Sequence, residues 1–285
     1  MPLPSPVLVL AAFGVSDPAA LEALLHIKKR VAEAWPEAET RLSFTSRVLR
    51  NLWRRRADQA AFRAENQGLP EEIYAIRSPL ALLAEIQETA PRPTVVQSLH
   101  VAEGEEYADL RNMVEALAGI KTLRPDQRPF PALVLTPPAL GDGGPDFLEP
   151  AARALEPLMD QARRAGAALA LMGHGSRRLE LGVYGDLEQR LRRDYPSTYV
   201  GLVESGPEDI LAALAEPGPV LLAPLLTVAG EHARKDLAGP GSWAGRFRAA
   251  GHEVLVHPEG LGSLDAWADI YVEHARRGLA ALGAE

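Results

Sequence analysis

Short apolar runs alternate along the chain with longer stretches in which apolar positions recur every three to four residues. The strand-length runs are Val7–Phe13, Arg41–Phe44, Thr94–Leu99, Ala132–Leu135, Ala167–Met172, Thr198–Val203, Val220–Ala223 and Glu253–Val256. Helical spacing predicts helices at Pro18–Trp35, after Thr45-Ser46, at Pro79–Glu88, Glu105–Leu117, Leu148–Ala165 and Leu179–Arg193. Further helices are expected at Pro207–Leu214, Ser242–Ala250 and Leu264–Leu282. Unbroken apolar runs separated by helical patterns indicate parallel sheets covered on both faces, an α/β fold. The Gly- and Pro-rich segment Thr136–Pro145 reads as a linker. The expected domains are therefore 1–140 and 141–285, with the last helix free to pack back on the first.

The two halves repeat one another at their strand–loop junctions. Leu99-His100-Val101-Ala102-Glu103-Gly104-Glu105-Glu106 matches Leu225-Leu226-Thr227-Val228-Ala229-Gly230-Glu231-His232, which sets Glu106 opposite His232. Leu10 to Ser16 matches Leu171 to Ser176 and sets Phe13 opposite His174. Phe44-Thr45-Ser46 corresponds to Val203-Glu204-Ser205. Three junctions recurring in one order imply two similar domains related by a pseudo-twofold axis. The first half carries an extra stretch, roughly Asn51–Ala84, before its third strand. In such sheets ligands bind beyond the carboxyl ends of the strands. His174, Glu106 and His232 all fall there, which suggests one site between the halves.

Composition narrows the chemistry. The 285 residues are 47% hydrophobic and 24% charged, with a net charge of −8; an acidic total argues against a nucleic-acid partner. With no cysteine, thiolate metal sites, iron–sulfur clusters and cysteine nucleophiles are excluded. Met1 to Pro6 lacks a basic segment, so Val7–Phe13 is expected as a core strand, not a signal peptide. No apolar run of about 18 residues is present to cross a membrane. A soluble, cytoplasmic protein is expected.

Of the seven histidines, His26, His252, His257 and His274 lie on helices or beside strands and read as structural. His100 ends a strand beside the repeated loop and reads as a hydrogen-bonding support to the site. His174 stands between Gly173 and Gly175, which leave room beside its ring. Neither a P-loop nor a GxGxxG pattern occurs, and Ser176 sits one place too late for a nucleophile elbow, which disfavours a serine hydrolase. Glu105, Glu106 and Glu231 each gain from a helix N-terminus. His232 gains nothing there once protonated, so a neutral imidazole offered to a divalent cation fits better. Two imidazoles and a carboxylate suit Co(II), Fe(II), Ni(II) or Zn(II). Arg47, Arg50, Arg54, Arg55 and Arg56, Arg177 and Arg178, and Arg234 and Lys235 follow the same junctions. Positive charge there suits a ligand bearing several carboxylates.

These stretches carry a resemblance. Phe44-Thr45-Ser46, Gln97 to Tyr107, Met172-Gly173-His174-Gly175, Val203-Glu204-Ser205, Pro224 to His232 and Ser242-Trp243 to Gly251 resemble the ATP-independent, class II sirohydrochlorin cobaltochelatases of anaerobic cobalamin biosynthesis. The likeness spans nearly the whole chain. The first loop departs from it, since members often read Phe-Gly-Thr-Ser where this chain has Phe13-Gly14-Val15-Ser16. The resemblance implies a metal site of His174, His232 and Glu106, with His174 as proton acceptor. It also implies a sirohydrochlorin-type tetrapyrrole in the interdomain cleft, for which Phe13, Ser46, Arg47 and Glu204 are the expected contacts. Co(II) is the implied substrate metal, with Fe(II) as the alternative; no nucleotide or redox cofactor is required. A sirohydrochlorin ferrochelatase and a non-catalytic tetrapyrrole or metal carrier remain open, as does a homo-oligomeric state.

Overall fold

Val7–Ala12 forms strand β1, every residue of which is buried, and this explains its unbroken apolar sequence. A computed structural model describes residues 5–89, 91–124, 127–176 and 182–283, the side chain of His232 excepted. After β1 come α1 (Pro18–Ala34), β2 (Glu39–Phe44), α2 (Arg47–Ala57), α3 (Ala60–Glu65), α4 (Glu71–Tyr74) and α5 (Pro79–Thr89). Then follow β3 (Thr94–Ser98), α6 (Glu105–Ala118) and β4 (Leu133–Thr136). The second series is α7 (Pro145–Ala154), α8 (Glu156–Arg164), β5 (Ala168–Gly173), α9 (Val183–Asp194), β6 (Thr198–Leu202) and α10 (Glu208–Ala213). It ends with β7 (Pro219–Leu225), α11 (Glu231–Ala238), α12 (Trp243–Ala249), β8 (Glu253–Val256) and α13 (Asp265–Leu282). A short 3₁₀ turn, Leu261–Ser263, precedes α13.

The strands form two four-stranded sheets of identical order, β2-β1-β3-β4 and β6-β5-β7-β8, parallel throughout. Two units carry these sheets, one comprising Met1–His100, Glu106–Pro138 and Tyr271–Glu285, the other Val101–Glu105 and Ala139–Ile270. The expected α/β architecture of two similar parallel sheets is what the chain adopts. No helix among the described residues is long and apolar enough to cross a membrane.

Local chemistry accounts for the helix boundaries. The Asp17 carboxylate accepts the Ala19 N–H at 3.0 Å and Pro18 opens α1, whose preset φ suits a first turn. Leu21, Leu24, Ile27 and Val31 then form its buried stripe. One expectation fails: Leu148–Ala165 is two helices, broken at Leu155. Pro157 has no N–H to give the carbonyl four residues back, and its ring disfavours continuation through that turn. The apolar periodicity runs on across the break, so the pattern alone did not reveal it. The extra stretch in the first half contains α3 and α4, too short for periodicity to mark. The helix expected at Leu179–Arg193 begins at Val183, and residues 177–181 lie outside the described residues.

Each sheet has its own core. In the first unit Val7, Val9, Ala11 and Val96 pack with Leu82, Leu83 and Leu110. In the second, Ala170, Met172 and Leu222 pack with Leu237, Trp243 and Phe247. Phe247 is fully buried, its ring edge-on to His252 at 5.7 Å. Phe247→Ala is expected to cost about 3–5 kcal/mol through lost transfer energy and a cavity, measured by denaturant unfolding; a loss under about 1 kcal/mol would show this core to be loosely packed.

Candidate active site

The chain winds from β1 outward to β2, then back past β1 to β3. In the second unit it does the same from β5 to β6 and back to β7. Loops leaving the two central strands therefore diverge at the carboxyl edge, the place where α/β sheets bind ligands. Phe13 follows β1 and Glu106 stands in the helix after β3; His174 follows β5 and His232 stands in the helix after β7. Glu106 and His232 are each the second residue of a helix that starts directly after a glycine.

In the second unit, β5 lies between β6 and β7, with Gly173 in register with both Leu202 and Leu225. His174 is exposed just past this point. Its Nδ1 lies 3.3 Å from the Gly175 carbonyl. A carbonyl only accepts, so in the neutral ring this contact selects the Nδ1–H tautomer, whose lone pair is on Nε2. The Ser176 hydroxyl donates to the Glu105 carboxylate at 3.2 Å, tying the turn after His174 to the segment Val101–Glu105. On the other side, Val203 N–H donates to the Gly173 carbonyl at 2.9 Å. Exposed Glu204 thus stands on the strand end next to His174.

The loop before His232 is held by a device the sequence reading missed. Leu261 N–H and Gly262 N–H donate to the Leu226 and Thr227 carbonyls at 2.8 and 2.9 Å. A Cβ on Gly260 would sit 2.7 Å from both the Ala229 nitrogen and the Thr227 oxygen, so only glycine admits this approach. The cluster Gly260-Leu261-Gly262-Ser263 was the available sequence signal. Gly260→Ala is expected to displace the Thr227–Ala229 loop and speed its amide exchange about tenfold, read by hydrogen exchange; unchanged exchange would show that this close approach does not hold the loop.

In the first unit, Phe13 is 49% exposed, unusual for an aromatic ring at a strand end. Ser46 caps α2, accepting the Leu49 N–H at 3.4 Å. Arg47 is exposed beside it. The basic residues divide by role. Arg50 donates to the Phe44 and Thr45 carbonyls, both at 2.6 Å. Arg56 donates to the Ser16 carbonyl, and Lys235 pairs with Glu231 at 2.7 Å. Arg54 and Arg55 remain exposed with Arg47, Arg54 bonding Asn51 at 3.1 Å. Arg177 and Arg178 lie outside the described residues. Among the described residues no three metal-capable side chains form a preassembled cluster, the His232 ring not being one of them.

His100 takes a supporting position. The Ser98 hydroxyl accepts the His100 N–H at 3.3 Å and meets its Nδ1 at 2.9 Å. A hydroxyl both donates and accepts, so Ser98 holds the ring through Nδ1 in either neutral tautomer. Tyr271 O–H donates to the Leu99 and His100 carbonyls, each at 3.2 Å. The Nε2 is buried without a hydrogen-bond partner among the described residues. Burial pushes the imidazole down to about 4, so it is neutral at pH 7. His274 is likewise pushed to about 4, by burial first and then by the charge of Arg277. Both folded values lie below the ordinary histidine value of 6.5. Between pH 6.5 and 4 the unfolded chain therefore binds protons that the folded chain refuses, and stability falls as pH falls. Each group contributes up to about 1.4 kcal/mol per pH unit there. Urea unfolding at pH 7, 6 and 5 is expected to show the decline, flattened in His274→Gln; equal stability at all three would contradict it.

Two four-stranded parallel sheets of identical order, flanked by helices, are a fold this chain shares with solved chelatases. The cobalt chelatase (CbiK) family model matches residues 6–279, and the chain belongs to that family. It is 30% identical over 288 residues to the sirohydrochlorin cobaltochelatase CbiKC of Nitratidesulfovibrio vulgaris (strain Hildenborough), covering 99% of this chain and 93% of the relative. It is also 30% identical over 234 residues to the sirohydrochlorin cobaltochelatase of Salmonella typhimurium LT2, covering 78% of this chain and 84% of the relative. Among solved structures, the sirohydrochlorin chelatase SirB of Bacillus subtilis subspecies spizizenii, in complex with cobalt, matches with a TM-score of 0.63. Its identity is 12%, with 96% of this chain and 95% of SirB covered. CbiX, described as the terminal enzyme of sirohaem biosynthesis in denitrifying bacteria, gives 0.57 at 20% identity, with 96% and 98% covered. At such identities these structures share the fold.

Proposed function

We propose that this chain inserts Co(II) into sirohydrochlorin without ATP. Family membership over residues 6–279 carries this reading, supported by two relatives named for that activity. The chemistry of the strand ends agrees. Insertion removes two pyrrole N–H protons, and an imidazole with a free Nε2 lone pair is a suitable acceptor near neutral pH. His174 takes that role. His174 and His232 hold the metal beside the ring as open, exchangeable ligands, because a closed cage would not release its ion. The exposed ring of Phe13 offers a flat apolar contact to the macrocycle, while Ser46, Arg47 and Glu204 line the strand ends as polar contacts. Arg47 answers carboxylates at the rim of the substrate.

For the carboxylate that completes the metal ligands, the repeat singles out Glu106, opposite His232. A second reading is Glu204, because the Val203–Gly173 bond places its loop on the strand end beside His174. The two are separable. Replacing the third ligand by glutamine should raise KM for Co(II) about tenfold with little change in KM for the tetrapyrrole. Glu106→Gln and Glu204→Gln, assayed side by side, identify which does so. His174→Ala is expected to lower kcat by about a hundredfold or more, followed by the visible spectrum of the tetrapyrrole in an anaerobic assay. Wild-type rates in His174→Ala and His232→Ala would refute the assignment. Fe(II) competing equally with Co(II) would favour ferrochelation.

A further inference from the structure

The extra stretch in the first unit makes contacts that its sequence does not announce. Arg50, Trp53 and Arg56 recur at every third position along one side of α2. Their donors go to carbonyls at or just past the ends of β1 and β2. Trp53 is fully buried, and its indole N–H donates to the Val15 carbonyl at 2.7 Å. Arg56 donates to the Ser16 carbonyl and Arg50 to those of Phe44 and Thr45. Beyond Ala12 there is no ladder to satisfy Val15 and Ser16, so side chains provide the donors.

The helices that follow hold this set in place. The Arg56 guanidinium lies 4.8 Å from the Trp53 ring centroid and 4.4 Å from that of Phe62 in α3. Trp53 also meets Phe62 and Tyr74 of α4 edge-on, each at 6.0 Å. Below them the loop itself is tight. Gly14 takes φ +105°, and a Cβ there would sit 2.7 Å from the Phe44 ring. Thr45 N–H and Ser46 N–H return to the Ala12 and Phe13 carbonyls at 2.8 and 3.1 Å. The loop is thus fastened at the carbonyls of Ala12, Phe13, Val15 and Ser16, while the ring of Phe13 stays exposed.

We infer that α2 to α4 form a brace, in which Trp53 and Arg56 are positioning residues that fix the Phe13–Ser16 loop so that Phe13 is presented to the tetrapyrrole in its bound geometry. The inference rests on the proposed reading of Phe13 as a substrate contact. A core-filling role would need only the apolar bulk of Trp53. A brace needs its N–H and the Arg56 guanidinium, and it acts on the macrocycle without acting on the metal. Holding the loop in advance lowers the ordering cost of substrate binding.

The test compares Trp53→Phe, Arg56→Met and Arg56→Lys with wild type, using hydrogen exchange of the peptide spanning the loop and separate KM values for sirohydrochlorin and Co(II). Trp53→Phe keeps the ring and loses the donor. Arg56→Met leaves Trp53 untouched should the first variant fold poorly, and Arg56→Lys restores one donor. Loop amides in Trp53→Phe and Arg56→Met are expected to exchange about tenfold faster. KM for sirohydrochlorin should rise about fivefold to tenfold, that for Co(II) should stay unchanged, and Arg56→Lys should fall between. Unchanged loop exchange overturns the brace. Faster exchange with both KM values unchanged, or with both raised alike, overturns its role in presenting Phe13. Faster loop exchange in a protein whose wild type inserts no metal instead overturns the proposed function and leaves the brace standing.

Discussion

The reversal of winding at the centre of each parallel sheet is the constraint on which the other features depend. Because β5 pairs with both β6 and β7, the loops leaving β5 and β7 part at the carboxyl edge and leave two strand ends open. The backbone there has run out of ladder. Its carbonyls must find donors elsewhere, and each unit finds them in its own way. In the second unit, neighbouring backbone does this: Val203 reaches Gly173, and Leu261 and Gly262 reach Leu226 and Thr227. In the first unit, Thr45 and Ser46 contribute backbone donors, and α2 adds an indole and two guanidinium groups. The loops that bear the proposed site residues are thereby hydrogen-bonded although they lie beyond the sheet.

On this duplicated frame the chemistry is unequal. Both sheets have the same strand order, yet the junction that carries the apolar Phe13 in one unit carries His174 in the other. Likewise Glu106 stands where its counterpart is His232. In sequence, one unit thus carries both histidines at these junctions, and the other a phenylalanine and a glutamate. A flat macrocycle with acidic side arms needs different things from its surroundings. An apolar contact suits its face, cations suit its rim, and bases are needed near the pyrrole nitrogens. In the proposed site, divergence of the repeat would supply this variety without altering the fold.

Much of this was legible in the sequence because burial leaves a strong mark. β1, β3 and β5 read as apolar runs because both of their faces are covered. The repeat exposed Glu106 opposite His232 and Phe13 opposite His174 because junction residues keep their order when domains duplicate. The break at Leu155 was hidden, since Leu148, Ala151, Ala152, Leu155, Leu158 and Met159 remain buried on both sides of it. Helices α3 and α4 were too short to show a period. Arg50 and Arg56 read as substrate-facing charge, whereas backbone carbonyls claim both of them. A carbonyl has no residue identity, so no pattern of letters discloses such a partner. Gly260 stood in a glycine-rich cluster, but its partner was hidden for a related reason, being the backbone of a loop more than thirty residues away in the chain.

The central claim concerns turnover, because a carrier built on the same fold would bind the same metal and ring. Multiple-turnover visible spectroscopy tests it most directly, with wild-type protein, excess sirohydrochlorin and excess Co(II), under anaerobic conditions and without nucleotide. The account predicts conversion well beyond one equivalent per chain, at a rate proportional to protein and far above the uncatalysed rate. Conversion that stops at one equivalent, or that proceeds no faster than in the absence of protein, would contradict it.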